Sequence, residues 1–219
     1  MYWIIFIATI FASFIVQKVL DYRFKKYSKV SIGLSGKEVA EKMLADFGIT
    51  DVRVVSVAGR LTDHYNPTDK TLNLSESVYN MRNVAAAAVA AHECGHALQH
   101  ATSYQWLGLR SKLVPAVNFS NKYVTWVILA GMIFFENFPS LLWIGIALYA
   151  IGTLFSFVTL PVEINASRRA VAWLESAGIT DYQTTPMASE ALRAAAYTYV
   201  VAALSSLAYL IYLIGIARD

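Results

Sequence analysis

The chain has 219 residues, of which 57% are hydrophobic and 15% charged, with a mean hydropathy of +0.46. Ordinary soluble domains carry roughly 45–50% apolar and 25% charged residues, so a plain soluble enzyme fits poorly. With 11 Gly, 5 Pro and one cysteine, Cys94, disorder, a collagen repeat and a disulfide scaffold are also excluded. The net charge of +3 takes its meaning from where the charges lie.

In chain order, residues 1–17 carry no charge and are followed by Lys18, Arg23, Lys25, Lys26 and Lys29. A cleaved signal peptide has the reverse order, so the spacing predicts a retained anchor helix over 1–20. A second span is expected over 113–135, starting near Val114 or Pro115, with Lys122 reaching to the interface. The turn Glu136-Asn137-Phe138-Pro139 separates it from a third span over 140–160, whose 21 uncharged residues reach about 31 Å, matching a hydrocarbon core of roughly 30 Å. A fourth span is expected over 197–216, bounded by Arg193 and Arg218. With four spans, 17 of the 18 Lys and Arg fall on one side, Arg218 being the exception. The positive-inside rule then places segments 21–112 and 161–196 in the cytoplasm and both termini outside.

Within 21–112, Ser35-Gly36-Lys37-Glu38 reads as a capping box. Val39, Ala40, Met43, Leu44 and Phe47 then recur at helical spacing until Gly48. Asp51–Val57 is β-rich, and Leu61–Tyr65 and Thr71–Ser75 flank the turn-rich Asn66–Lys70, which predicts a small three-stranded sheet. From Asn83 a helix rich in Ala allows close packing. Thr71–Ser75 is open to two readings, an exposed edge onto which an extended substrate adds or an ordinary hairpin strand.

The Ala-rich helix contains His92-Glu93-Cys94-Gly95-His96, an HExxH sequence. His96 lies about 40° round from His92 and one turn along, so both imidazoles can meet one zinc ion. Glu93 sits on the flank, where its carboxylate reaches a water beside the metal and can act as general base. Surface polar residues on a helix are the bland alternative, but these groups interrupt an apolar run in which unpaired polar atoms are costly to bury. Cys94 points about 160° from His92 and reads as packing.

A catalytic zinc takes three protein ligands and one open position. The metzincin third histidine would fall at Thr102, which excludes that subclass. His100 lies too far along the helix axis to close a tetrahedral site without distortion, and His64 is on a strand. Glu163, two residues after Pro161, is the better candidate, although an acidic residue at a span end followed by Arg168 and Arg169 also reads as an interfacial ion pair. Tyr199, Tyr197, His64 and Arg168 are candidates for contacting substrate or an oxyanion. The tyrosines also read as packing, and Arg168 and Arg169 as headgroup anchors.

The segments DHYNPTDKTLNLS, AAHECGHALQH, LPVEINASRRA and AAAYTYVVAAL together resemble the bacterial family of membrane zinc metallopeptidases typified by YugP, itself similar at motif level to HtpX-like membrane proteases. The resemblance runs in order along nearly the whole chain. It implies that His92, His96 and Glu163 hold one catalytic zinc and that Glu93 is catalytic. The HtpX-like pattern has an Asp four residues after the ligand glutamate, where this chain has Ser167. The partner that orients the ligand histidines is therefore left unassigned.

The expectation is a mainly α, multi-pass membrane protein, with four transmembrane helices and a small cytoplasmic α+β zincin-like catalytic part. Its function would be that of a gluzincin-like zinc endopeptidase (EC 3.4.24 type) of the bacterial cytoplasmic membrane, cutting membrane or membrane-proximal proteins at the cytoplasmic face. A non-proteolytic zinc-binding membrane scaffold is the alternative, favoured if His100 or Cys94 fills the fourth ligand position. No Walker loop, GxSxG or CxxC is present, and the charge fits membrane orientation rather than nucleic-acid binding.

Overall fold

The computed structural model describes residues 2–218, with side chains over 7–218. Among the described residues the chain is mainly helical, with one small sheet. The order is α1 (Tyr2–Tyr27), α2 (Gly36–Asp46), β1 (Arg53–Val57), β2 (His64–Asn66), β3 (Thr71–Ser75), α3 (Glu76–Tyr79), α4 (Val84–Ala101), α5 (Gln105–Ile133), α6 (Pro139–Ser176) and α7 (Thr184–Arg218).

The predicted capping box forms in full: Ser35 Oγ accepts the Glu38 N–H, and Glu38 Oε2 accepts the Ser35 N–H at 2.7 Å. Asn83 caps α4, its Oδ1 accepting the Ala86 N–H at 2.9 Å. In the turn after β2, Asn66 Oδ1 accepts the Thr68 N–H at 2.9 Å, which locks the hairpin.

The sheet order is β1-β3-β2, with β3 parallel to β1 and antiparallel to β2. Thr71–Ser75 is thus the central strand and not an edge, and the two edges belong to β1 and β2. Both faces of the strand are covered, Leu72 and Leu74 on one and Asn73 and Ser75 on the other, as suits a central strand.

The core is built around α4, whose Val84, Ala85–Ala88, Ala90 and Ala91 are fully buried. Val39, Ala40, Met43 and Leu44 of α2, Leu72 and Leu74 of β3, and Ala170, Trp173 and Leu174 of α6 pack round it. Only small side chains let one helix be surrounded this closely. A second cluster, Ile128, Leu142, Ile146 and Leu213, joins α5, α6 and α7 away from the sheet.

Among the described residues two helices, α6 and α7, are long and apolar enough to cross a membrane, where the sequence suggested four spans. In α5 the polar run Asn118, Ser120, Asn121 and Lys122 dilutes the apolar stretch. The anchor expected over 1–20 draws part of its apolar run from residues 1–6, outside the described side chains. The helices also outrun the expected segments: α5 begins at Gln105, α7 at Thr184, and α6 continues through Pro161 without a break. Proline removes one helical donor and leaves the Phe157 carbonyl without it, a loss that packing of α6 against α4, α5 and α7 offsets.

Candidate metal centre

Helices α4 and α6 meet at Gly95 and Ala166. A Cβ on Gly95 would lie 2.7 Å from the Ala166 carbonyl oxygen, so the small residue within HExxH is what permits the contact. This approach carries Glu163, one turn earlier on α6, over the face of α4 that bears the two histidines. Glu163 Oε2 lies 3.3 Å from His92 Nε2 and 3.6 Å from His96 Nε2. The two rings stand edge to face with centroids 4.8 Å apart. Glu163 is 3% exposed, so its carboxylate is held by these neighbours rather than by bulk water.

His92, His96 and Glu163 offer two imidazole nitrogens and a carboxylate oxygen within 4.8 Å of one another. Donors about 2.1 Å from one tetrahedral ion lie about 3.4 Å apart, so both carboxylate–imidazole distances fit a shared zinc ion. Both Nε2 atoms face the shared carboxylate because each Nδ1 is engaged elsewhere. His92 Nδ1 lies 3.1 Å from Ser167 Oγ, and His96 Nδ1 lies 3.0 Å from Gln99 Oε1. Ser167, where the related pattern has Asp, therefore does touch one of the two histidines. Burial works against a charged His96 ring, but contact with Glu163 and the Glu93 charge outweigh it and raise its pKa above the ordinary value.

Glu93 stands beside this cluster without joining it. Its Oε2 accepts the backbone N–H of Tyr65 at 3.1 Å, and the residue is 8% exposed. That N–H points away from β3, so the open edge of β2 faces the carboxylate directly.

A cleft of about 900 Å³ opens over the centre. His64 and Tyr199 line it, with Tyr199 beside Glu163, whereas Arg168 and Tyr197 do not. Arg168 projects from an exposed face of α6, because its neighbours Ala166 and Ala170 take the buried face. His64 Nδ1 contacts the Thr62 carbonyl at 2.8 Å. His100 pairs with the Tyr65 hydroxyl at 2.9 Å on the cleft rim, and the buried Cys94 thiol donates to the Ala40 carbonyl, so neither shares the ligand cluster.

Three residues at the centre went unnoticed in the sequence. Arg110 of α5 brings Nη1 to 3.9 Å from Glu163 Oε1 and lies over the Phe155 ring. The fully buried Gln99 and the partly buried Asn165 lie behind His96. Gln99 had a legible signal, being three residues after His96 and so on the same helix face. Arg110 had none, because only the tertiary packing of α5 against α6 brings it near.

Over residues 2–218 the chain matches the family described as "Putative neutral zinc metallopeptidase". It is 44% identical over 203 residues to the "Putative membrane protease YugP" of Bacillus subtilis (strain 168), a match covering 92% of this chain and 89% of that protein. No solved structure matches it.

Proposed function

The chain belongs to this zinc metallopeptidase family, and from that premise we propose that it is a membrane-embedded zinc endopeptidase working at the cytoplasmic face. One observation carries the reading: His92, His96 and Glu163 converge as ligands while Glu93, between the two histidines in sequence, faces the cleft instead. A structural zinc site has no use for a buried carboxylate set beside the ligands and open to a cleft.

In this reading His92, His96 and Glu163 hold one zinc ion. Bound there, zinc supplies Lewis acidity, polarising a scissile carbonyl and acidifying water. Glu93 takes a proton from the attacking water and passes it to the leaving amine, so hydrolysis needs no covalent intermediate. The Tyr199 hydroxyl, on the wall beside Glu163, donates to the developing oxyanion. An extended peptide lies along the open edge of β2, whose backbone groups beside Tyr65 supply strand-like hydrogen bonds.

The membrane arrangement is part of the same proposal. Helix α5 runs against α6, where a Cβ on Gly131 would meet the Leu142 backbone at 2.6 Å and one on Gly145 would meet Ile128 at 2.8 Å. Ser120 Oγ also donates across to the Leu148 carbonyl at 2.6 Å. A helix held this tightly to a span shares its environment, and its outward Phe119, Trp126 and Ile133 suit lipid. Helix α1 packs on α7 and presents Ile7, Ile10, Phe11 and Phe14 outward. With α6 and α7 as spans and the Arg residues between their apolar stretches on the cytoplasmic side, this reading has the centre at the inner surface of a bacterial cytoplasmic membrane. Substrates are then membrane or membrane-proximal proteins.

The test uses detergent-purified protein, assayed for zinc content and casein cleavage. Wild type cleaves, loses activity to a chelator and regains it with zinc. Glu93→Gln keeps its zinc but loses about 10²- to 10⁴-fold in rate. Zinc-loaded wild type that cleaves neither casein nor membrane proteins would favour a zinc-holding scaffold.

A further inference from the structure

Behind the centre runs a chain of polar groups that crosses from α6 to α4. Arg169 Nε lies 2.8 Å from Asn165 Oδ1. The same oxygen lies 3.0 Å from Gln99 Nε2, which is also 2.8 Å from the Val162 carbonyl oxygen. Gln99 Oε1 then lies 3.0 Å from His96 Nδ1. Gln99 is fully buried, so its side-chain amide relies on these protein partners rather than on bulk water.

Chemistry fixes the direction of every bond. A guanidinium can only donate and a backbone carbonyl can only accept. Arg169 therefore requires the oxygen of Asn165, not its amide nitrogen, at the shared position. That oxygen and the Val162 carbonyl both require donors, so they take the two N–H bonds of the Gln99 amide. The Gln99 oxygen is left facing His96, where it can only accept. Nδ1 of His96 must therefore carry a proton, which leaves Nε2 as the nitrogen that can offer its lone pair to a metal ion.

We propose that Arg169, Asn165 and Gln99 form a one-way hydrogen-bond relay that fixes the tautomer and ring orientation of His96, making all three positioning residues for the zinc ligand. The proposal rests on the zinc reading above. Among the described residues the partner of His92 Nδ1 is the Ser167 hydroxyl, and a hydroxyl can rotate to donate or accept. The two ligand histidines are thus held unequally, His96 by a relay of fixed polarity and His92 by a partner that permits either tautomer.

The experiment measures zinc affinity by competition with a chromophoric chelator, on folded protein, for wild type, Gln99→Leu, Asn165→Leu and Asn165→Asp. Both leucine variants are expected to weaken zinc about 10- to 100-fold. Asn165→Asp keeps the doubly accepting oxygen and is expected to stay within about threefold of wild type, which a role in packing alone would not predict. Equal affinity in all four proteins overturns the relay, and so does Asn165→Asp as weak as Asn165→Leu. Wild type that binds no zinc overturns the underlying metal reading instead. Should the leucine variants not fold, ¹⁵N shifts of the His96 ring in zinc-free wild type, taken at alkaline pH where the ring is neutral, decide the point. A protonated Nδ1 supports the relay, and a protonated Nε2 with bare Nδ1 overturns it.

Discussion

Gly95 and Ala166 are in backbone contact across α4 and α6, with no room between them for a methyl group. The HExxH helix carries two of the proposed ligands and α6 the third, so the separation of these two helices sets the size of the proposed metal centre. Gly95→Ala, which forces the helices apart, should cost about 1–3 kcal/mol of stability. It should also weaken zinc at least tenfold, although no ligand is altered. Thermal melting and chelator competition on the same sample check both effects.

Tyr199→Phe removes one hydroxyl from the cleft wall and leaves every ligand in place. If that hydroxyl stabilises the oxyanion, kcat should fall about 10²- to 10³-fold with KM and zinc content little changed. Steady-state kinetics on a quenched peptide make the distinction, and a change confined to KM would show that Tyr199 only contacts substrate.

Ser35→Ala breaks the capping box of α2, the helix packed against the buried side of α4. A loss of about 1 kcal/mol is expected in chemical denaturation.

The same box gives a pH dependence with a definite sign. Hydrogen bonds from the Ser35 backbone and side chain, with Arg82 close by, hold the Glu38 carboxyl below its ordinary value. A carboxylate depressed in the folded state contributes stability above the unfolded pKa, about 4.3, and loses it as pH falls through the folded value. Melting temperature should therefore drop below about pH 4.3 by more in wild type than in Glu38→Gln. Parallel curves for the two proteins would show that Glu38 makes no such contribution.

Much of the centre was legible because local rules govern it. The α2 capping box, the Asn83 cap, the hairpin turn at Asn66 and the histidine spacing on α4 all depend on residues within one or two turns of each other. Glu163 could be named as a ligand candidate but not separated from an interfacial ion pair without the family resemblance, since nothing local aims it at α4. What brings it there is a glycine in another helix. Edge and hairpin readings of Thr71–Ser75 stayed open in the sequence because β1 joins β3 in parallel, and parallel pairing leaves no turn signal between neighbours. Helices α5, α6 and α7 extend past their apolar stretches because hydropathy marks where lipid is tolerated, not where hydrogen bonding stops. Pro161 illustrates this, being a local breaker that the packing around α6 overrides.

The decisive measurement is the zinc stoichiometry and affinity of purified wild type beside Glu163→Ala. One zinc per wild-type chain, and affinity at least 100-fold weaker in the variant, is the expected outcome, because among the described residues Glu163 is the one proposed ligand outside α4. Full, tight zinc in Glu163→Ala would contradict a centre shared between α4 and α6 and would require a different third ligand.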